Sequence, residues 1–232
     1  MDRFERLQSL LGSSMVSSFT KENILVVGCG GVGGYVIEGL VRSNFNNITI
    51  IDYDKVDITN CNRQIIALSS TISKDKVDLI KERALDINNN INITAYKLKL
   101  SSDNIDSIFS NNYTYVIDAC DDIKAKELLL TYCMKKKIPI ITCLGMGKRI
   151  DPTKIEITTI DKTYNDPLAR KLRSFLKQNK LSLKTKVCFS KELPLKLESK
   201  VIASCVFVPA TAGMVIASEV IKDIIKKNKP AN

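Results

Sequence analysis

The chain has 232 residues, 44% hydrophobic and 26% charged, which is enough apolar material for one sizeable core or two small ones. It contains no histidine and no tryptophan, so an imidazole base, a Ser-His-Asp triad and histidine metal ligands are all excluded. The net charge of +10 is unevenly placed, −2 over residues 1–120 and +12 over 121–232, and this asymmetry points to a polyanionic partner, nucleic acid ahead of an anionic membrane.

The first twelve residues are charged and amphipathic and lack the apolar core of a signal peptide, so no export is expected. Ile24–Val27 is a short apolar run ending in glycines; Val32–Ser43 reads as a helix, and Ile48–Ile51 as a second strand ending at Asp52. Together they make a βαβ unit. Lys74–Asn88 places Val77, Ile80, Ala84 and Ile87 on one helical face, and Ile91–Lys97 reads as the next strand. The alternation continues through a strand at Tyr115–Ala119, a helix at Ile123–Lys137 and a strand at Ile138–Leu144 closed by Gly145 and Gly147. An α/β fold follows: a doubly wound, mostly parallel sheet with helices on both faces.

Beyond Asp151-Pro152 the pattern loosens. Ile155–Ile160 alternates like an exposed strand, and Asp166-Pro167 opens a helix with proline in its first turn. Lys177–Lys200 is polar and lysine-rich and reads as containing a mobile loop. Val201–Val208 reads as a buried strand and Ala210–Lys227 as a closing helix, a C-terminal strand and helix extension. The uncharged stretch Val201–Ser218 is interrupted by Ser204, Pro209, Thr211 and Gly213, so no membrane span is expected there. No linker divides the chain, and the expectation is a single domain over 1–232, with a nucleotide-binding core at 1–150 and a substrate and dimer extension at 151–232.

Gly28-Cys29-Gly30-Gly31-Val32-Gly33 follows the first strand and opens its helix, where phosphate can approach bare backbone amides at a positive helix end. Asp52 lies 19 residues past Gly33 at a strand end, so by this motif alone a nicotinamide or flavin dinucleotide and ATP are equally open. A Walker-type phosphate loop is excluded, because Gly34 stands where that pattern needs lysine. A hydride-transfer enzyme has no use for the residues that follow, Arg63, Lys76 and the acidic pair Asp121-Asp122 past the fourth strand. The two cations would offset charge on an α-phosphate under attack, and Asp121 could hold a Mg²⁺ bridging phosphate oxygens.

The G-x-G-G-x-G run, Ile-Asp-x-Asp at 51–54, Asn-x-x-Arg-Gln at 60–64, Lys76 and Asp-x-x-Asp at 118–121 resemble the Rossmann-like adenylation domain of ubiquitin-activating-enzyme-like proteins. Within that superfamily the chain is most similar to the tRNA threonylcarbamoyladenosine dehydratases. Arg3-Phe4 and Arg6, Asn60–Gln64, Ile150–Thr153, Asp166–Arg173 and Phe207–Gly213 carry the similarity across nearly the whole length. The resemblance implies an ATP-dependent cyclisation of threonylcarbamoyladenosine in tRNA. The threonine carboxylate attacks the α-phosphate of ATP and releases pyrophosphate; internal closure then expels AMP, with net loss of one water. It assigns Gly28, Gly30, Gly31 and Gly33 to the nucleotide, Asp52 to the ribose, and Asn60, Arg63 and Lys76 to phosphates, with Asp121 on magnesium. Arg6 would reach a partner subunit's triphosphate, which makes a homodimer functionally necessary, and Arg170, Lys171 and Arg173 would face tRNA. A sulfur-transfer protein is a possible further partner within this family.

An adenylyltransferase acting on a sulfur-carrier protein would share every ATP-site residue, but the paired C-x-x-C zinc ligands many such enzymes carry are absent. The seven cysteines include no C-x-x-C pair, and their odd number argues against a disulfide scaffold, so a reduced, cytoplasmic setting is expected. Cys29, Cys120, Cys143 and Cys205 read as small core residues, and no motif marks Cys188 as a nucleophile.

Overall fold

The structure, a computed structural model, describes residues 2–198 and 202–228. Two short helices, α1 (Glu5–Leu11) and α2 (Ser13–Phe19), lead into β1 (Asn23–Val27), whose last four residues are all buried. After β1 come α3 (Gly33–Val41), β2 (Asn47–Ile51), α4 (Lys76–Ile87), β3 (Asn92–Tyr96), the single turn α5 (Ile105–Ile108) and β4 (Tyr115–Asp118). The chain continues through α6 (Ile123–Lys136), β5 (Ile140–Cys143), β6 (Ile155–Thr159), α7 (Pro167–Gln178), β7 (Lys186–Ser190) and α8 (Phe207–Asn228).

The strands form one seven-stranded sheet in the order β3-β2-β1-β4-β5-β7-β6, parallel throughout except for β6, which pairs antiparallel with β7. Strands buried on both faces read as near-continuous apolar runs; Ile24–Val27 of β1 is one, β2 is interrupted by the buried Thr49, and β4 ends in the buried Asp118. One face packs on α3, α4 and α8 around Ile24, Val26, Ile37, Leu40 and Ile216; the other packs on α5 and α6 around Leu25, Val116 and Leu129. A third cluster, Leu130, Leu172, Leu176 and Phe189, seats α7 against the β5–β7 end. Helices α3 and α8 touch almost backbone to backbone. A Cβ on Gly213 would lie 2.5 Å from the Val32 carbonyl oxygen, so α8 braces the start of α3 where the glycine loop ends.

The structure differs from the sequence expectations in two stretches. Lys177–Lys200 is not simply a polar loop, because its middle is β7, inserted between β5 and β6 with Val187, Cys188 and Phe189 buried. The flanking lysines hide it: Lys186 opens the strand yet lies 2.7 Å from both Glu219 and Asp223 of α8, and Asp223 also accepts from the Tyr115 hydroxyl. The C-terminal strand at Val201–Val208 is also corrected. Residues 202–206 form no strand, and Phe207 and Val208 are the first turn of α8. Pro209 fits that first turn because the leading N–H groups of a helix have no partner within it. Val201 itself lies outside the described residues. Elsewhere the expected elements stand with ends shifted by one or two residues.

Candidate active site

Beta strands β2 and β3 run outward from β1 on one side while β4 and β5 run outward on the other, so the chain reverses direction between β1 and β4. Open α/β sheets leave a crevice at the carboxyl ends of the strands beside such a reversal. A cavity of about 700 Å³ occupies it, and Gly28, Gly30, Gly31, Asp52, Asn60, Arg63, Lys76 and Asp121 all line it. Eight residues spread over almost a hundred positions of sequence are thus brought to one wall-lined space.

The glycine loop is built by close approach. Gly28 adopts φ +97°, and a Cβ there would fall 2.7 Å from the Ala119 carbonyl oxygen, which lets β1 and the turn after β4 nearly touch. A Cβ on Gly33 would lie 1.8 Å from the Gly28 carbonyl oxygen, so the loop closes only with glycine at both ends. Gly30 and Gly31 have room for a side chain from the protein's standpoint, which leaves their backbone open toward the cavity. Asp52 ties the loop to β2: the Cys29 N–H donates to Oδ2 at 2.6 Å and the Asp54 N–H donates to Oδ1 at 2.8 Å. Burial pushes this carboxyl above its ordinary range, outweighing those two hydrogen bonds and the nearby Lys76.

Lys76, the first residue of α4, is buried, and its ammonium lies 2.8 Å from Asp54 Oδ2. Arg63 follows a capped 3₁₀ turn at Ile58–Asn60, in which the buried Asn60 accepts from the Asp57 N–H. Its guanidinium donates to the Thr59 carbonyl at 2.8 Å and to Asn62 Oδ1 at 3.0 Å. Asp121 is exposed at the cavity mouth beside the N-cap of α6. Across that mouth Lys99 spans from Asp122, at 2.8 Å, to the face of Tyr53, 5.6 Å from the ring centroid.

The far end of the cavity is formed by Cys143–Gly147 at the end of β5, by Pro167, Leu168 and Lys171 of α7 and by Ile202 against Gly147, while Ser204 and Pro209 close the side next to Asn62 and Gly31. Asp166 locks α7 to this end, capping the helix by accepting from the Ala169 N–H and accepting also from the Gly145 N–H, at 3.0 Å. Arg149, itself buried, donates to the carbonyls of Gly145, Asn165 and Glu192. Of the three basic residues expected on α7, Arg170 and Lys171 are exposed, whereas Arg173 donates to Thr163 and the Ile160 carbonyl and fastens α7 to the fold. Arg6 is exposed on α1 and is not among the residues lining its own chain's cavity.

Cys29 and Cys143 are core residues as expected, while Cys120 and Cys205 are only partly buried. The adjoining Cys143 and burial hold the Cys188 thiol well above its usual range, which disfavours the thiolate a nucleophile needs.

The ThiF family model matches residues 5–232. The chain belongs to the ThiF family. It is 34% identical over 243 residues to the tRNA threonylcarbamoyladenosine dehydratase of Bacillus subtilis, an alignment covering 97% of this chain and 96% of that one. A second relative, the Escherichia coli tRNA threonylcarbamoyladenosine dehydratase, is 41% identical over 177 residues, 76% of this chain and 66% of that sequence. The crystal structure of the E. coli enzyme, TcdA, in complex with AMP superposes with TM-score 0.92 at 38% identity, covering 97% of this chain and 94% of that chain. Its complex with ATP superposes with TM-score 0.91 at 37% identity over the same shares.

Three features of the ThiF-family pocket escaped the sequence reading. Gln64 is buried against the cavity with its Oε1 unpartnered among the described residues; it stood in the Asn-x-x-Arg-Gln run without a stated role. Arg149 and Lys126 carried no motif, and Asp118 opened the Asp-x-x-Asp run without a stated role; only the fold shows that Lys126 and Asp118 pair at the strand ends beneath the cavity.

Proposed function

We propose that the chain is an ATP-dependent dehydratase that cyclises threonylcarbamoyladenosine in tRNA through an adenylated carboxylate, releasing pyrophosphate and AMP. The observation that carries this reading is the convergence of the glycine loop, Asp52, Arg63, Lys76 and Asp121 on one cavity, in a chain that aligns end to end with a dehydratase of that name.

The triphosphate lies against the open backbone of Gly30 and Gly31 at the N-terminus of α3, where the helix dipole favours anions. Asp52, held by two backbone N–H groups, accepts from a ribose hydroxyl with its remaining lone pairs. Arg63 and Lys76 supply the positive charge that stabilises the α-phosphate as the carboxylate adds and pyrophosphate leaves. Adenylation turns a poor leaving oxygen into AMP, and a nucleophile within the same nucleoside makes the closure unimolecular, so the absence of histidine costs nothing. The far end of the cavity, with Lys171 at its edge, receives the modified nucleoside, and Arg170 beside it takes tRNA backbone. Residues 151–232, together with Cys143–Gly147, thus serve as the substrate side, and the rest of 1–150 as the nucleotide side, of one domain.

Magnesium fits this site. The Asp121 carboxylate is a hard oxygen donor exposed at the cavity mouth, and Mg²⁺ is usually held by one or two carboxylates plus phosphate oxygens and water; among the described residues no group of three or more acidic or thiol side chains forms a closed metal cage. When bound there the ion would neutralise charge on the phosphates. The family resemblance assigns Arg6 to the triphosphate of a second subunit, in a cytoplasmic homodimer, and its exposure outside its own chain's cavity supports that reading.

The decisive assay incubates the protein with ATP, Mg²⁺ and tRNA bearing threonylcarbamoyladenosine, digests under non-hydrolytic conditions and reads the nucleoside by mass spectrometry. Loss of one water that requires ATP, and that Asp121→Ala abolishes, supports the proposal. An unchanged nucleoside, with pyrophosphate exchange seen only when a carrier protein is added, would make the chain a carrier-protein adenylyltransferase.

A further inference from the structure

Beneath the cavity, at the carboxyl ends of β4 and β5, lies an ion pair shut away from solvent. Lys126 Nζ stands 3.0 Å from Asp118 Oδ1, and both side chains are 0% exposed. Lys126 also donates to the Cys143 carbonyl at 2.7 Å. Asp118 Oδ1 accepts in addition from the Cys120 N–H at 3.3 Å and from the Cys120 thiol, while Oδ2 has no partner among the described residues. None of these groups touches the reacting atoms in the mechanism above.

Stability does not explain the pair. A buried ion pair is often no better for a fold than apolar side chains of equal volume, and one with an orphaned oxygen is worse still. Its bonds lead instead to the two rims of the cavity. Through Asp118 the pair fixes the backbone of Cys120, the residue before Asp121; on the other side Asp122 caps α6 by accepting from the N–H groups of Lys124 and Ala125. Asp121 is therefore set between two anchored neighbours. Through the Cys143 carbonyl, the last residue of β5, the same ammonium fixes the start of the Cys143–Gly147 segment that lines the substrate end.

We propose that Lys126 is a positioning residue that, clamped between Asp118 and the Cys143 carbonyl, sets the Asp121 carboxylate in register with the substrate end of the cavity. The inference rests on the adenylation reading of the pocket. A carboxylate displaced by a fraction of an ångström still allows ATP to bind to the glycine loop, but the metal and the α-phosphate are then misplaced relative to the attacking carboxylate.

Lys126→Met alone leaves Asp118 buried and uncompensated and threatens the fold, so the informative protein is the doubly neutral Asp118→Asn/Lys126→Met. Calorimetry measures its ATP affinity with and without Mg²⁺, and thermal melting checks the fold. The expected result is an unchanged metal-free ATP affinity and a melting temperature near that of the parent, with the gain in ATP affinity on adding Mg²⁺ reduced about tenfold, as in Asp121→Ala. In the dehydration assay kcat falls on the order of tenfold to a hundredfold while KM for tRNA stays put. A well-folded double variant that keeps the full Mg²⁺ gain and kcat overturns the proposal, as does a loss that merely follows the unfolded fraction. Failure of the unsubstituted protein to dehydrate the nucleoside would sink the substrate assignment instead, and the calorimetric comparison would still decide the role of Lys126.

Discussion

Gly31 and Gly33, two residues apart, answer to different forces. A Cβ on Gly31 meets Arg63 Cγ at 3.4 Å, an ordinary contact, whereas one on Gly33 collides with the Gly28 carbonyl at 1.8 Å. Gly31→Ala is therefore expected to melt like the parent but to bind ATP more weakly, since the methyl occupies the approach to the phosphates. Gly33→Ala forces the loop open and should lower stability by about 1–3 kcal/mol together with ATP binding. Calorimetric titration beside a denaturant melt separates the two, and equal effects on stability would contradict this division. The G-x-G-G-x-G run has glycine at both positions; that one glycine serves the ligand and the other the packing is visible only once Gly33 is seen to meet the Gly28 carbonyl and Ala119.

Among the elements, α7 carries the clearest division of labour. Its sequence, Pro167 to Gln178, is strongly amphipathic, with Leu172 and Leu176 inward and basic residues outward. Composition alone cannot separate Arg170 and Lys171, which are exposed, from Arg173, which donates to Thr163 and the Ile160 carbonyl. Arg170→Glu/Lys171→Glu should weaken tRNA binding and flatten its dependence on salt, each lost phosphate contact removing roughly 0.7–0.9 from the logarithmic slope. Arg173→Ala should instead lower stability by about 1–2 kcal/mol through the Thr163 carbonyl left without its donor, leaving that slope intact. Filter binding across a salt series and a melt of each variant are the measurements. Strand β7 is the opposite case: lysine-rich neighbours mask it, and it becomes legible only when Glu219 and Asp223 of α8 are seen to meet Lys186.

At the scale of the whole molecule, α1 lies outside the cavity of its own chain. Arg3 reaches the Ile87 carbonyl at the carboxyl end of α4 and Asn89 just beyond, whereas Lys76 at the other end of that helix lines the cavity. In the proposed homodimer, Arg6 on α1 is the residue expected to serve a triphosphate across the subunit boundary. Arg6→Ala should lower turnover about tenfold or more, as loss of one charge-stabilising donor does, without changing the oligomer seen in light scattering. Mixing Arg6→Ala with Asp121→Ala should restore part of the activity, because one of the two sites in each mixed dimer then has both residues. A fully active Arg6→Ala, or a mixture as inactive as its parts, removes the role in trans.

The sequence by itself determined the alternation of strands and helices, the glycine loop after β1 and the residue types for carboxylate adenylation, because periodicity and backbone-demanding motifs are local properties of a chain. It also excluded histidine chemistry by composition alone. Only the tertiary structure decided that β7 rather than residues 202–208 completes the sheet, that Arg173 belongs to the fold, that Gln64 lines the cavity, and that Lys126, Asp118 and Arg149 lie beneath it. These assignments depend on partners distant in sequence, on which carbonyl or carboxylate a buried cation finds once the strands are in register, and no local pattern encodes that meeting.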